Sequence, residues 1–486
     1  MALAAVGLLV HHAFFFYGHF ASDDMTYAAM AYNLFHGEAD WTHPFTFRIV
    51  HVAALGLMYW LFGVSDWASA IPGLICSMLI VYTMHRVLLD RPWWVLAFAL
   101  VSYFGMSWNT FYSDKIMADI YVSAAAFGTV GTYYLFRRGE IRALPAGAAM
   151  AVLLFVAFNA KGSIILLVPV LAVLGFADLV RWRGMSLWLT LSIVGGGLLA
   201  CYGLVCQLFF GNPLERFAVI KAHRYLNECS YDSLPLAYLI ERLTTGYWHL
   251  LQDYNLLPHL AIALLTLGVL AYVRQLNRPV VWFPLTSLVV FLSINFMTIS
   301  FDSYNPVCTD PRHIMLYTPI LVACSALSLA TVVRVLRINT RSWWFYLALA
   351  VGCLFLLRPA YEMSRYNLTL EYAQVEARFT DFYARLPGPA VVYGSRANVL
   401  LSPYFMRFTY RERGIVFRDI FDQGECSAEQ LGDNSFLVQS WYMDWHSDKG
   451  PEQFDKFLRA HGYEKRPTDL GSYGLEVYKL ECAAAE

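Results

Sequence analysis

Charge is scarce in this 486-residue sequence: Asp, Glu, Lys and Arg make up 15% of it, while 58% is hydrophobic. One soluble core cannot bury that much apolar surface, which excludes a wholly water-soluble globule and makes lipid part of the solvent. Cysteine spacing of the metal-binding type is absent, and so are internal repeats, which removes zinc modules and solenoids. The near balance of 35 basic and 36 acidic residues gives no reason to expect a nucleic-acid partner. The first apolar run lacks the basic start and small-residue cleavage site of a secretory signal, so it reads as a retained span.

What is present is a succession of apolar runs. Unpaired backbone groups are costly in hydrocarbon, so these runs are expected to be helices of about 20 residues rather than sheet. They lie near 2–18, 66–85, 92–108, 116–136, 143–158, 164–180, 185–210, 256–273, 280–300, 313–333 and 342–358. The expected fold class is a polytopic α-helical membrane protein with about eleven transmembrane helices and a small extracytoplasmic α/β domain. Residues 1–358 form the membrane part and 359–486 the soluble part.

Arginine placement sets the expected orientation. Alternate short loops hold Arg86 and Arg91; Arg137, Arg138 and Arg142; Arg181 and Arg183; Arg274 and Arg278; and Arg334, Arg337 and Arg341. The intervening short loops hold only Lys115, Lys161 and Arg312. The arginine-rich loops are therefore assigned to the cytoplasm, and the C-terminal domain to the far side of an inner, plasma-type membrane. Cys229 and Cys308 then fall in external loops and Cys426 and Cys482 in the external domain, where an oxidising compartment permits a bridge within each pair.

Two external segments are long, 19–65 and 211–255, so function is expected outside. In the first, Tyr27, Met30, Ala31, Leu34 and Phe35 follow one helical face, and Ile49 to Phe62 is a second apolar stretch; both suit helices lying along a membrane surface. In the C-terminal part, strand-like runs at 390–394, 414–417, 435–441 and 474–480 alternate with helical stretches at 362–384, 397–406 and 451–461. That part has no glycine-rich phosphate loop and no nucleophile elbow.

The strongest local signal is Ser22-Asp23-Asp24-Met25-Thr26-Tyr27, two adjacent carboxylates just outside the first span. An acidic helix start explains such a pair without chemistry; the functional reading makes one Asp a general base toward an acceptor hydroxyl. Asp114 reads as a solvated loop residue. Asp119 falls about one turn inside an apolar helix, where a carboxylate is expensive and is a candidate for function, with a structural hydrogen bond as the alternative. Arg48, Lys161 and Arg312 face the same side. Snorkelling explains each singly, while together, with His313 beside Arg312, they suit a phosphate at the membrane surface. Arg216, Lys221, His223 and Arg224 add further contacts, or mark a solvated amphipathic helix. His43, His51, His249 and His259 are external, each explicable structurally.

In order and topology, residues 1–335 resemble the GT-C superfamily of integral membrane glycosyltransferases, in particular the branch holding the protein O-mannosyltransferases and the aminoarabinose transferase that modifies lipid A. Asp23-Asp24-Met25-Thr26-Tyr27 resembles that branch's Asp-Glu-x-x-Tyr motif, with Asp24 in place of Glu. By distance to Tyr27, Asp23 matches the catalytic aspartate, and Asp24 stays a candidate. His43-Pro44-Phe45-Thr46-Phe47-Arg48 lies where the branch has a basic-plus-proline segment. Asp119 matches a second acidic residue, Ala160-Lys161-Gly162-Ser163 is similar to Thr-Lys-Gly-Pro, and Arg312-His313-Ile314-Met315-Leu316-Tyr317 is similar to Arg-Tyr-Leu-Leu-Pro.

The resemblance implies an inverting transfer of one sugar from a polyprenyl-phosphate donor to a lipid, protein or polysaccharide hydroxyl. Asp23 or Asp24 would be the base, with Lys161, Arg312, His313 and Arg48 on the phosphate. Tyr27, His43, Lys221 and Arg224 are possible substrate contacts. Members of the superfamily differ in metal use, which leaves a divalent cation open. A transporter or flippase would be expected to carry charges at mid-depth and paired broken helices; a lipid-linked glycan polymerase or ligase would also suit the external arginines, but not the early Asp-Asp motif with a soluble C-terminal domain.

Overall fold

A computed structural model describes residues 2–181, 184–223, 229–253, 255–272, 281–300, 302–364, 369–427, 431–432, 434–440, 451–472 and 474–483. Arg183, Arg224, Arg274 and Arg278 lie outside the described residues. The chain forms two compact units. The first comprises Met1–His11, Trp41–His51 and Pro72–Tyr366; the second comprises His12–Asp40, Val52–Ile71 and Asn367–Glu486.

Helix is found within each expected span, but among the described residues only six helices are long and apolar enough to cross a membrane: Asp66–Leu88, Ala143–Ala160, Gly162–Val180, Met185–Phe210, Thr318–Val335 and Trp343–Glu362. A seventh arises if the bent pair Leu236–Gln252 and Leu257–Tyr272 counts as one span. The other expected spans differ for local reasons. Run 92–108 breaks at Met106 into Trp93–Gly105 and Ser107–Phe111, because Met106 turns to an extended conformation. Helix Asp119–Arg137 is long enough, but it carries Ser123, Thr129, Tyr133 and Tyr134, all buried, so it reads as a central packing helix of mixed polarity.

In the first unit, Ala143–Ala160 packs on both Asp119–Arg137 and Met185–Phe210. Gly147 permits this approach: a Cβ there would stand 2.5 Å from the carbonyl oxygen of Leu187. Small residues let helix backbones come close where lipid supplies no hydrophobic drive for association. Gly105 does the same against Leu356. A polar tie crosses the arginine-rich ends of these helices, where buried Asp178 accepts bonds from the Tyr133 hydroxyl and the Trp188 indole, both at 3.0 Å, and pairs with Arg137. Cys229 and Cys308 are bridged.

The expected end of the last span, at Arg358-Pro359, is passed over: the helix runs through Pro359 to Ser364. In the second unit the strands are β1 (Ala390–Gly394), β2 (Ile415–Asp419), β3 (Ser435–Gln439), β4 (Tyr463–Pro467) and β5 (Glu476–Cys482), in the order β2-β1-β3-β5-β4. The first three are parallel, and β5 runs antiparallel to β3 and β4. Strand β4 is absent from the sequence reading because Glu464, Lys465 and Arg466 interrupt any apolar alternation; charge of this kind suits an edge strand. Tyr393, Ile420, Leu437, Phe454, Leu458 and Leu480 pack the core beside the Cys426–Cys482 bridge.

Candidate active site

The candidate residues of the sequence fall into both units, around Asp119 in the first and around Asp23 and Asp24 in the second. In the first, Asp119 is the first residue of its helix rather than one turn inside, so its carboxylate stands at the positive end of the helix dipole. Lys161 occupies the extended break between Ala143–Ala160 and the 3-10 turn Gly162–Leu167. From there its Nζ reaches both carboxylate oxygens of Asp119, at 2.7 and 2.9 Å.

Arg312 lies in the short helix Pro311–Ile314, capped by Asp310, whose side chain accepts the Arg312 N–H at 2.9 Å and pairs with its Nε at 3.1 Å. Arg312 and His313 both act electrostatically on Asp119, and Arg48 and Arg312 both act on Lys161. The Arg48 guanidinium stacks 4.3 Å over Phe45. Five side chains singled out in the sequence therefore converge: Arg48, Asp119, Lys161, Arg312 and His313. The three fixed cations Arg48, Lys161 and Arg312 against the two carboxylates Asp119 and Asp310 leave local positive charge in excess, the condition for holding an anionic group.

His51 and Tyr121 sit beside this cluster with their rings 5.1 Å apart. Arg48, Asp119 and Lys161 all act on His51, which ties it to the cluster more closely than the sequence does. Asp114 is corrected: it is fully buried in the turn Tyr112–Asp114 and paired with Lys115 at 3.2 Å, since an apolar neighbourhood cannot leave either charge alone. Of the remaining candidates in this unit, His43 faces His223 at 5.6 Å, and its Nδ1 accepts the Phe45 N–H. Lys221 is solvent-exposed and pairs with Asp302 at 3.5 Å, whereas Arg216 on the same helix is buried and stacks 4.3 Å over Phe158, so the expected solvated helix holds for Lys221 and not for Arg216.

In the second unit, Asp23 and Asp24 open the helix Asp23–Phe35, and Tyr27 lies one turn on, buried. The two carboxylates differ. Asp24 is fully buried and turns back, accepting the Phe20 and Ser22 backbone N–H groups, the latter at 2.9 Å. These bonds fix a turn in which Ala21 adopts a left-handed φ of 54°. Asp23 is partly exposed. Holding the preceding turn thus accounts for Asp24, while Asp23 is the more exposed of the two.

Behind this turn is a network with little signature in the sequence. Asp66 Oδ1 accepts from His19 Nε2 at 3.0 Å, from the Tyr404 hydroxyl at 3.0 Å and from the Tyr372 hydroxyl at 3.2 Å. His19 Nδ1 stands 3.7 Å from Asp24. Tyr404 bonds on to Ser69 and Ser69 to Tyr59. His19, Tyr372 and Tyr404 lie 47, 306 and 338 residues from Asp66, beyond any local pattern.

Burial and the neighbouring Asp66 carboxylate push Glu376 up from 4.5 to about 7, with His19 and Arg407 acting the other way. A carboxyl whose folded pKa is raised binds its proton more tightly in the native state, so its contribution is complete below about 4.5 and lost as pH rises through about 7. Thermal unfolding in detergent across this window is expected to show stability falling with pH, and Glu376→Gln to flatten that slope. An unchanged slope in the variant would remove Glu376 as its source.

Among the described residues, no group of three or more His, Cys, Asp or Glu side chains could hold a metal ion. No family model matches the chain, and no curated protein matches it. Solved structures do. The crystal structure of ArnT from Cupriavidus metallidurans in the apo state aligns with a TM-score of 0.61 at 16% identity, covering 98% of this chain and 96% of that one. The structure of the same ArnT bound to undecaprenyl phosphate aligns at 0.57 with 14% identity and the same coverage. Across nearly its whole length the chain therefore has the fold of ArnT.

Proposed function

We propose that the chain is an inverting glycosyltransferase that moves a single sugar from a polyprenyl-phosphate donor to an acceptor hydroxyl at the outer face of the membrane. The carrying observation is the convergence of Arg48, Lys161, Arg312 and His313 around Asp119, in a fold shared with a protein crystallised with undecaprenyl phosphate.

In this reading the acceptor oxygen attacks the anomeric carbon as its proton passes to Asp23. The bond from that carbon to the phosphate oxygen breaks, and polyprenyl phosphate leaves with the electron pair. The cations meet charge that grows on the departing phosphate, which lowers the barrier because the interaction strengthens in the transition state. One displacement inverts the anomeric centre. Asp119 holds Lys161 in place and limits the local repulsion among the cations. Lys221, His43, Tyr27 and Arg224 are assigned to substrate contacts.

Eleven spans with the N-terminus inside and the C-terminal domain outside are part of the proposal. The arginine alternation supports this orientation, as do bridges at the two cysteine pairs of the segments assigned outside. The test is transfer by the purified chain in detergent, with mass spectrometry of its bound lipid. A polyprenyl phosphate is expected to co-purify. Arg312→Ala is expected to raise the donor KM and lower kcat, about 10²- to 10³-fold in kcat/KM, as for loss of one oxyanion donor. Dependence on the acceptor alone would sink the phosphate role.

A further inference from the structure

The sheet of the second unit has a reversal of strand order that the transfer reaction does not use. Strand β1 has β2 on one side and β3 on the other, all parallel, so the chain leaves β1 for one flank and later returns to the opposite one. In open α/β sheets the carboxyl ends of strands at such a reversal are where ligands bind.

Four side chains at these ends carry unused hydrogen-bonding groups. Ser395 precedes the ten-residue helix Arg396–Phe405 in the N-cap position yet makes no side-chain cap bond. Its hydroxyl is buried, the residue being 1% exposed, and has no partner. Asn398, also 1% exposed, lies over the end of β1, its Nδ2 standing 2.8 Å from where a Cβ on Gly394 would be. Its Oδ1 is occupied by the Ser402 hydroxyl at 2.8 Å, and Ser402 is held in turn by Tyr383; Nδ2 is left over.

At the end of β3 the pattern repeats. Gln439 is 3% exposed, its Oε1 takes the Lys465 ammonium at 3.3 Å, and its Nε2 has no partner. Ser440, 3% exposed, has a free hydroxyl. Continuing the register Tyr393↔Leu437 brings Ser395 opposite Gln439. Buried polar groups are almost always satisfied, so four exceptions at one end of a sheet ask for a common explanation.

Both carboxamides have spent their oxygens and kept their N–H donors, beside the N-terminus of a helix whose first turn also presents backbone N–H groups. Arg396, at the first position of that helix, is exposed and has no ion-pair partner among the described residues, although a cation there opposes the helix dipole. The carboxylate at this end, Asp419 on β2, turns an oxygen to the Phe421 N–H at 3.0 Å. We infer that the carboxyl ends of β1 and β3, with the start of the helix Arg396–Phe405, bind a phosphate-type anion through Ser395, Asn398, Gln439 and Ser440. The anion comes either from free phosphate or from a phosphorylated lipid headgroup.

The test is amide hydrogen exchange on the full chain in detergent. Millimolar inorganic phosphate, against chloride at equal ionic strength, is expected to slow exchange in peptides covering 394–400 and 436–440. Phosphatidic acid in mixed micelles, against phosphatidylcholine, forms the second arm. Protection by phosphatidic acid alone identifies the lipid source, and protection by inorganic phosphate identifies the free anion. Asn398→Asp, which keeps the Ser402 bond and replaces the donor with a charge, is expected to abolish protection. Should that variant fail to fold, Ser395→Ala removes one hydroxyl and is expected to weaken it several-fold. Absence of protection in both arms, or protection surviving in Asn398→Asp and Ser395→Ala, overturns the inference. Asp23→Asn is expected to retain the protection, which separates failure of this site from failure of the transfer mechanism.

Discussion

Asp23→Asn is expected to lower sugar transfer by about 10²- to 10⁴-fold, the range for losing a general base, with the thermal unfolding midpoint unchanged. Asp24→Asn is expected to behave differently. Both Asp24 oxygens accept backbone N–H groups, from Phe20 and Ser22, and an amide NH2 facing either would set donor against donor. Leaving a buried group unsatisfied costs about 1–3 kcal/mol, so Asp24→Asn should lower stability and reduce activity through the turn that carries Asp23. Transfer rate and unfolding measured on both variants decide the matter. Full turnover in Asp23→Asn would move the base elsewhere.

The second large effect concerns Asp119 and Lys161. Removing one partner of a buried pair typically costs about 3–5 kcal/mol, because the other charge is left uncompensated. Asp119→Asn should be the worse of the two single variants: it strands Lys161 among Arg48 and Arg312, whereas Lys161→Met leaves Asp119 with Arg312 and His313 still near. The double variant is expected to regain most of the lost stability and none of the activity, a non-additivity that a thermal-unfolding double-mutant cycle reads directly. Simple additivity would mean that the pair contributes no coupling.

Sequence could point to Asp119, Lys161 and Arg312 because a charge at the edge of an apolar run is anomalous in itself and needs no knowledge of its partner. It could not show that Lys161 reaches across 42 residues to both oxygens of Asp119, which depends on how helices pack. For the same reason the burial of Asp114 is not legible, since nothing local says that the turn holding it is buried. An external compartment permits the Cys426–Cys482 bridge without requiring it, and the fold forms it. His19, Tyr372 and Tyr404 were not legible, because tyrosine and histidine are ordinary residues until tertiary structure brings them to Asp66. Helix Asp23–Phe35 and strands β1, β2, β3 and β5 followed periodicity, and β4 was hidden by charges that an edge tolerates.

The helix Met185–Phe210 has 26 residues, and in its most apolar window only 6% of residues are buried by protein. At about 1.5 Å per residue it is about 39 Å long, against a hydrocarbon slab of about 30 Å. Most side chains of that window lie outside the protein's own packing and are apolar, as contact with acyl chains requires, and in a bilayer the excess length is taken up by leaning or by reaching into the headgroup layer. Lipids of different chain length should change that lean first, making this helix the segment through which bilayer thickness reaches the rest of the molecule.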